Sequence, residues 1–99
     1  MDPGIRAFQQ RMRELYGAKD GTRGSAGTFM YLIEEVGELA EACREPQRHD
    51  LNGEFADVFA WLASLANLHG VDLAAAVEAK YPAQCPACAS APCRCVTKP

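Results

Sequence analysis

The chain has 99 residues, enough for one domain whose core is small enough that a metal ion or a partner subunit is expected to help hold it. Its formal charge of −3, from 10 Lys+Arg against 13 Asp+Glu, argues against a surface built for duplex nucleic acid. No apolar run nears the roughly 20 residues of a membrane span and the first ten residues lack the pattern of a signal peptide, so no membrane partner and a cytoplasmic location are expected.

Gly and Pro divide the chain into short helical pieces, and no stretch alternates as a strand would, so the expected fold is all-α, a small bundle of about four helices. The first helix is predicted from Pro3 to Tyr16, with Ile5, Phe8, Met12 and Leu15 on one face. The stretch Gly17 to Gly27, with four glycines and the charged residues Lys19, Asp20 and Arg23, reads as a loop. A second helix is expected from a Thr28 cap to Glu45, where Pro46 stops it. A third follows an Asp50 cap and ends at Gly70, and a fourth starts behind Asp72 and reaches Lys80 or Tyr81 before Pro82. Residues 1–81 thus form a helical domain. Residues 82–99 are a tail with four of the six prolines and four of the five cysteines, and too few apolar side chains to order itself.

The charge is unevenly spread. Residues 34–57 carry eight acids against two bases, a balance of −6, and the rest of the chain balances at +3. On the second helix, at about 100° per residue, Glu34 and Glu41 point away from the apolar stripe and read as solvated, while Glu35 borders the stripe with Glu38 one turn further on. On the third, Glu54 and Asp57 fall within the face that carries Val58, Trp61, Leu62, Leu65 and Leu68, opposite Ala56, Ala60, Ala63 and Asn67. Turning those acids outward would expose Trp61 and the leucines. Carboxylates so placed must be neutralised, paired or metal-bound, because two like charges at about 4 Å repel by roughly 4 kcal/mol at an effective dielectric of 20. Too few bases lie nearby to pair four of them. Oxygen-only ligands at i,i+3 spacing on two helices suit a hard divalent ion, Mg²⁺ or Mn²⁺. A di-iron centre would need Glu-x-x-His on its helices, and neither His49 nor His69 is so placed.

Glu34-Glu35-Val36-Gly37-Glu38-Leu39 followed by Glu54-Phe55-Ala56-Asp57 resembles the EExxE and ExxD motifs of the MazG-like all-α nucleotide pyrophosphohydrolases. Thr28-Phe29-Met30-Tyr31-Leu32 before the first motif and Gly70-Val71-Asp72-Leu73 before the last helix agree with that resemblance, which covers about residues 5–81. The resemblance implies cleavage of a nucleoside triphosphate between its α and β phosphates to give monophosphate and pyrophosphate, in a nucleotide-pool house-cleaning role. It implies that Glu35, Glu38, Glu54 and Asp57 hold Mg²⁺ and that Glu34 is an outer or second-ion ligand; a carboxylate not fully used by the metal, Glu34 or Glu38, is then expected to accept a proton from water. By the same resemblance Lys80 matches a lysine that meets phosphate, although a lysine there also suits the helix dipole. Trp61 stacks on a base or belongs to the core, and Lys19 and Arg23 either grip phosphates from a closing loop or stay solvated. A homodimer or homotetramer is expected to complete the core and the pocket.

The tail spells C-x2-C-x4-C-x-C with Cys85, Cys88, Cys93 and Cys95, a set of thiolates able to converge on one structural Zn²⁺, with an iron–sulfur cluster or a redox pair as rivals. Cys43, on the apolar side of the second helix, reads as a core thiol. The competing reading of the whole chain is a non-catalytic zinc-binding interaction module whose acidic groove stores an ion or meets a basic partner.

Overall fold

The computed structural model describes residues 4–98. The helices are α1 (Gly4–Arg44), α2 (Leu51–Leu68) and α3 (Leu73–Lys80), with a single 3₁₀ turn at Pro46–Arg48. No strand occurs among the described residues. No single helix is long and apolar enough to cross a membrane, and α2 with α3 passes on composition only, the two meeting at a 98° bend.

The glycine-rich stretch is not a loop. α1 runs through it and, past its first residue, departs from helical geometry only at Gly24, whose φ of 85° and ψ of 171° suit a residue without a Cβ. The spacing of Gly17, Gly21, Gly24 and Gly27 is compatible with one helical face, and each isolated glycine costs a helix only about 1 kcal/mol. Two arms result, residues 4–23 and 25–44, which with α2 and α3 amount to four helical rods. Thr28 is accordingly not a cap: it lies inside the second arm, fully buried, and its hydroxyl meets Arg23 at 3.4 Å. The break is tied to α2 by Ser25 Oγ, 2.7 Å from His69 Nε2.

The other ends obey local chemistry. Asp50 caps α2 by accepting from the Gly53 amide at 3.1 Å, and Asp72 caps α3 by accepting from the Ala75 amide at 3.1 Å. Gly70, at φ 65°, takes the left-handed turn past the α2 terminus, and the Val71 amide returns to the Ala66 carbonyl at 2.9 Å.

α2 packs on α1 through its small side chains: Ala63, Ser64 and Ala66 are buried. Beside them Val58, Trp61, Leu65 and Leu68 of the expected inward face are half-buried, and Trp61 and Phe59 stack on Tyr31 and Phe8 of α1. Within one chain Phe55, Phe59 and Leu62 stay exposed, as do Phe29, Met30, Ile33 and Val36 on the second arm of α1. Small residues let two helices approach closely, and the strip of α2 that carries Phe55, Phe59 and Leu62 is what one chain leaves uncovered. Leu15 and Cys43, both expected in the core, are exposed too.

A polar clasp closes the far end. Gln9, 4 % exposed, donates to Asn67 Oδ1 at 2.9 Å and to the Val71 carbonyl at 2.6 Å, and its own side-chain oxygen accepts from the Leu73 amide at 3.0 Å. Asn67 Nδ2 donates back to the Gln9 carbonyl at 3.1 Å. Gln9→Ala leaves the Val71 carbonyl and the Leu73 amide without this partner, while Asn67 Oδ1 keeps Arg13 at 2.9 Å, and is expected to lower stability by about 1–2 kcal/mol, read as a drop in the urea midpoint.

Candidate active site

The second arm of α1 and the first turns of α2 bring carboxylates together. One oxygen each from Glu35, Glu38 and Glu54 lies within 4.8 Å of the others. Glu35 and Glu54 are half-buried, and each keeps a buried oxygen (Oε2) without a hydrogen-bond partner. Burial, a hydrogen bond with Glu38, and the nearby charges of Glu38, Asp57 and Glu54 push the Glu35 carboxyl up to about 7. Burial and the charges of Glu38 and Asp57 also hold Glu54 above the usual carboxylate range, with His49 offsetting part of the effect. Such a cluster is costly by itself. The orphaned oxygens and the oxygen-only donor set fit a hard divalent cation, whose charge would offset the mutual repulsion.

Asp57 stands beside the trio but outside it. It is exposed, and it lines a neighbouring cavity of about 300 Å³ together with Met12, Lys19, Asp20, Arg23 and Trp61. Arg23 is the organising cation of this cavity. It donates to Asp20 Oδ1 at 2.9 Å, and its guanidinium lies 4.8 Å from the centre of the Trp61 ring and 5.4 Å from that of Tyr31. Tyr31 in turn stacks on Trp61 at 5.0 Å. Asp20, only 2 % exposed, keeps its second oxygen, Oδ2, buried and without a hydrogen-bond partner.

The family model for the MazG nucleotide pyrophosphohydrolase domain matches residues 23–89, two thirds of the chain. The chain belongs to this family. Among curated proteins, none matches it. The family accounts for the all-α architecture and suggests nucleotide pyrophosphohydrolase activity in this MazG domain.

Seen as a MazG domain, the chain assembles the residues of its two acidic motifs unequally. Glu35, Glu38 and Glu54 converge, Asp57 faces the cavity, and Glu34 lies on the exposed side of α1. Lys19 and Arg23 line the cavity from a helix and not from a loop able to close over it. Trp61 is half-buried, sandwiched into the Tyr31 and Arg23 cluster. Lys80 does not line the cavity: it ends α3, with its ammonium 6.0 Å from the Tyr81 ring centre. Asp20 is missed by sequence reasoning because its stretch reads as a loop. Its spacing of three residues from Arg23, an ion pair along one helix face, is the signal that could have found it.

Cys85, Cys88, Cys93 and Cys95 also converge, with their four sulfurs within 4.8 Å of one another. Backbone N–H groups of Arg94 and Ser90 draw the Cys88 thiol down to about 6, and the Cys95 amide lowers that of Cys93. Hydrogen bonding to Cys93 pushes the Cys95 thiol up to about 11. None of the four lines the cavity beside the carboxylates.

Proposed function

We propose that this protein is a Mg²⁺-dependent nucleoside triphosphate pyrophosphohydrolase that releases monophosphate and pyrophosphate and removes unwanted nucleotides from the cytoplasmic pool. The observation that carries the proposal is the juxtaposition of a converging, partly orphaned carboxylate trio with a cavity lined by Lys19, Arg23 and Trp61. Glu35, Glu38 and Glu54, with Asp57 beside them, would hold Mg²⁺ or Mn²⁺, which when bound supplies positive charge to phosphate oxygens and acidifies a water.

The chain's own groups divide the remaining work. Lys19 receives the outer phosphates, and Arg23 turns toward them from its place over Trp61. Trp61 and Tyr31 border the base. Asp57, between the carboxylates and the cavity, would draw the bound cation toward the cavity side, where the triphosphate lies. Water attacks the α-phosphorus, the α–β bridging oxygen leaves with the β and γ phosphates, and the water's proton passes to Glu38 or to Glu34, the exposed acids of the first motif. Lys80, remote from this cavity within one chain, would reach phosphate only at a site shared between subunits.

Association belongs to the same reading. Among the described residues the buried hydrophobic side chains are Met12, Leu32, Ala42, Ala63 and Ala66, three of them alanines. Beside that small core, Phe55, Phe59 and Leu62 of α2 and Phe29, Met30 and Ile33 of α1 are exposed. A second copy, in a homodimer or homotetramer, would cover the outward face of α2 and the second arm of α1.

The test is a screen of ribo- and deoxyribonucleoside triphosphates with and without Mg²⁺, with products separated by ion-exchange chromatography. Monophosphate and pyrophosphate in equal amounts, formed only with the metal, are expected. Release of inorganic phosphate and diphosphate nucleotide, or no turnover of any triphosphate, would overturn the proposal.

A further inference from the structure

The tail beyond α3 has an interior made almost wholly of sulfur. Among residues 82–98 only Cys85, Cys88, Ser90 and Cys95 are less than exposed, and Val96, its one large aliphatic side chain, is fully open to solvent. No helix or strand occurs there. Yet the segment turns back on itself, with the Cys85 amide donating to the Ser90 carbonyl at 3.0 Å and the Ala89 amide to the Cys85 carbonyl at 2.8 Å. Hydrophobic burial cannot drive that turn, since there is almost no apolar side chain to bury.

The sulfur geometry supplies another cause. Cys85 Sγ lies 3.9 Å from Cys95 Sγ, and Cys88 Sγ lies 4.0 Å from Cys93 Sγ. A tetrahedron with metal–sulfur bonds of about 2.3 Å has sulfur–sulfur edges of about 3.8 Å. A disulfide would need about 2.05 Å, and all four cysteines are free. An iron–sulfur cluster distributes its thiolates over several irons and would hold them farther apart than four sulfurs around one ion. Two backbone amides point at sulfur, Arg94 N at Cys88 Sγ and Cys95 N at Cys93 Sγ, both at 3.3 Å. Such N–H donors favour the charged thiolate that a metal ligand must be.

We propose that Cys85, Cys88, Cys93 and Cys95 hold one Zn²⁺ per chain, in a closed four-thiolate site separate from the carboxylates, and that this ion is what folds residues 85–95. Four soft, anionic ligands at tetrahedral spacing select zinc over the hard ion suited to the carboxylate trio. Because the tail has no core of its own, binding and folding there are one event, whereas the helical body has its own contacts and stays helical when zinc is withdrawn.

The experiment uses the full chain purified under reducing conditions. Metal analysis is expected to return one zinc per chain, retained in Cys43→Ser and in Glu35→Gln and lost in Cys88→Ser and in Cys95→Ser. Replacement by Co²⁺ should give the visible bands of a tetrahedral thiolate complex. Stripping the zinc with a chelator should collapse the amide dispersion of residues 85–95 in nuclear magnetic resonance spectra while far-ultraviolet helicity is unchanged. Iron in place of zinc, zinc that survives both cysteine substitutions, or a tail that stays dispersed without metal would each overturn the proposal.

Discussion

Glu35→Gln is expected to cut Mg²⁺-dependent pyrophosphate release by about 10²–10³-fold and at the same time to make the metal-free protein more stable above neutral pH. The first effect follows from removing one of three converging carboxylates: the charge stabilisation offered by a well-held ion is worth several kcal/mol, and each 1.36 kcal/mol lost is tenfold in rate. The second follows from linkage. In the folded chain the Glu35 carboxyl is raised from 4.5 to about 7, so the native state holds that proton more tightly than the unfolded one. The stabilisation it provides is fully present below about pH 4.5 and is lost as pH rises through about 7.

Above that range an ionised Glu35 strains the metal-free fold against Glu38, Asp57 and Glu54. Gln at position 35 removes the charge and still donates a hydrogen bond to Glu38. After discounting for its partial exposure, the relief is about 1 kcal/mol, or about 5 °C in Tm at about pH 8. Adding Mg²⁺ should then raise the Tm of the natural protein and not that of the variant. Melting curves at two pH values, with and without the ion, decide the matter. A variant that melts below the natural protein at alkaline pH without metal would show that Glu35 serves the fold and not an ion.

That coupling of cost and function explains which parts of the site were legible in the sequence. Glu35, Glu38 and Glu54 could be read because helical spacing fixes which acids share an edge, and acids at an apolar edge are anomalous enough to demand a cause. Asp57 was less readable. It sits on the same turn as Glu54, but the roughly 60° between them is enough to send one carboxylate to the trio and the other to the cavity. The Asp20 and Arg23 pair was hidden by its glycines, since composition alone cannot separate a loop from a helix broken at one residue. Only Gly24 leaves helical geometry; the Gly17, Gly21 and Gly27 positions continue it.

The orientation of α2 shows a different limit. Its sequence has a small-residue side, Ala56, Ala60, Ala63 and Asn67, and a large apolar side, and hydrophobicity ranks the second as the core. In one chain that large side is half-buried at Val58, Trp61, Leu65 and Leu68, while Phe55, beyond its edge, is left 54 % exposed. The spacing of apolar residues along a helix says which side avoids water and is silent on whether the same chain or another copy covers it. The all-α class, the Asp50 and Asp72 caps and the Gly70 stop were readable because each depends on side chains within a few residues.

Phe55→Glu turns that ambiguity into a measurement. In an isolated chain residue 55 faces solvent, and an exposed substitution of this kind changes stability by about 0.5 kcal/mol or less. In an assembly whose second copy covers Phe55, Phe29 and Ile33, the same change places an unpaired carboxylate in an apolar interface, at a cost of several kcal/mol. The natural protein is expected to run at a multiple of its 10.7 kDa chain mass by light scattering, and Phe55→Glu to run at or near the chain mass, with Mg²⁺-dependent turnover reduced at least tenfold. Under the proposal that a second copy completes the site, the loss of turnover should track the loss of mass when protein concentration is varied. Tyr16→Ser, at a position that is exposed but within the cavity, is the counterpart: it should weaken substrate binding and leave the mass unchanged. If the natural protein were monomeric, or Phe55→Glu kept both mass and activity, the exposed strip of α2 would have no part in assembly, and the small core of the chain would stand on its own helix contacts and the clasp around Gln9.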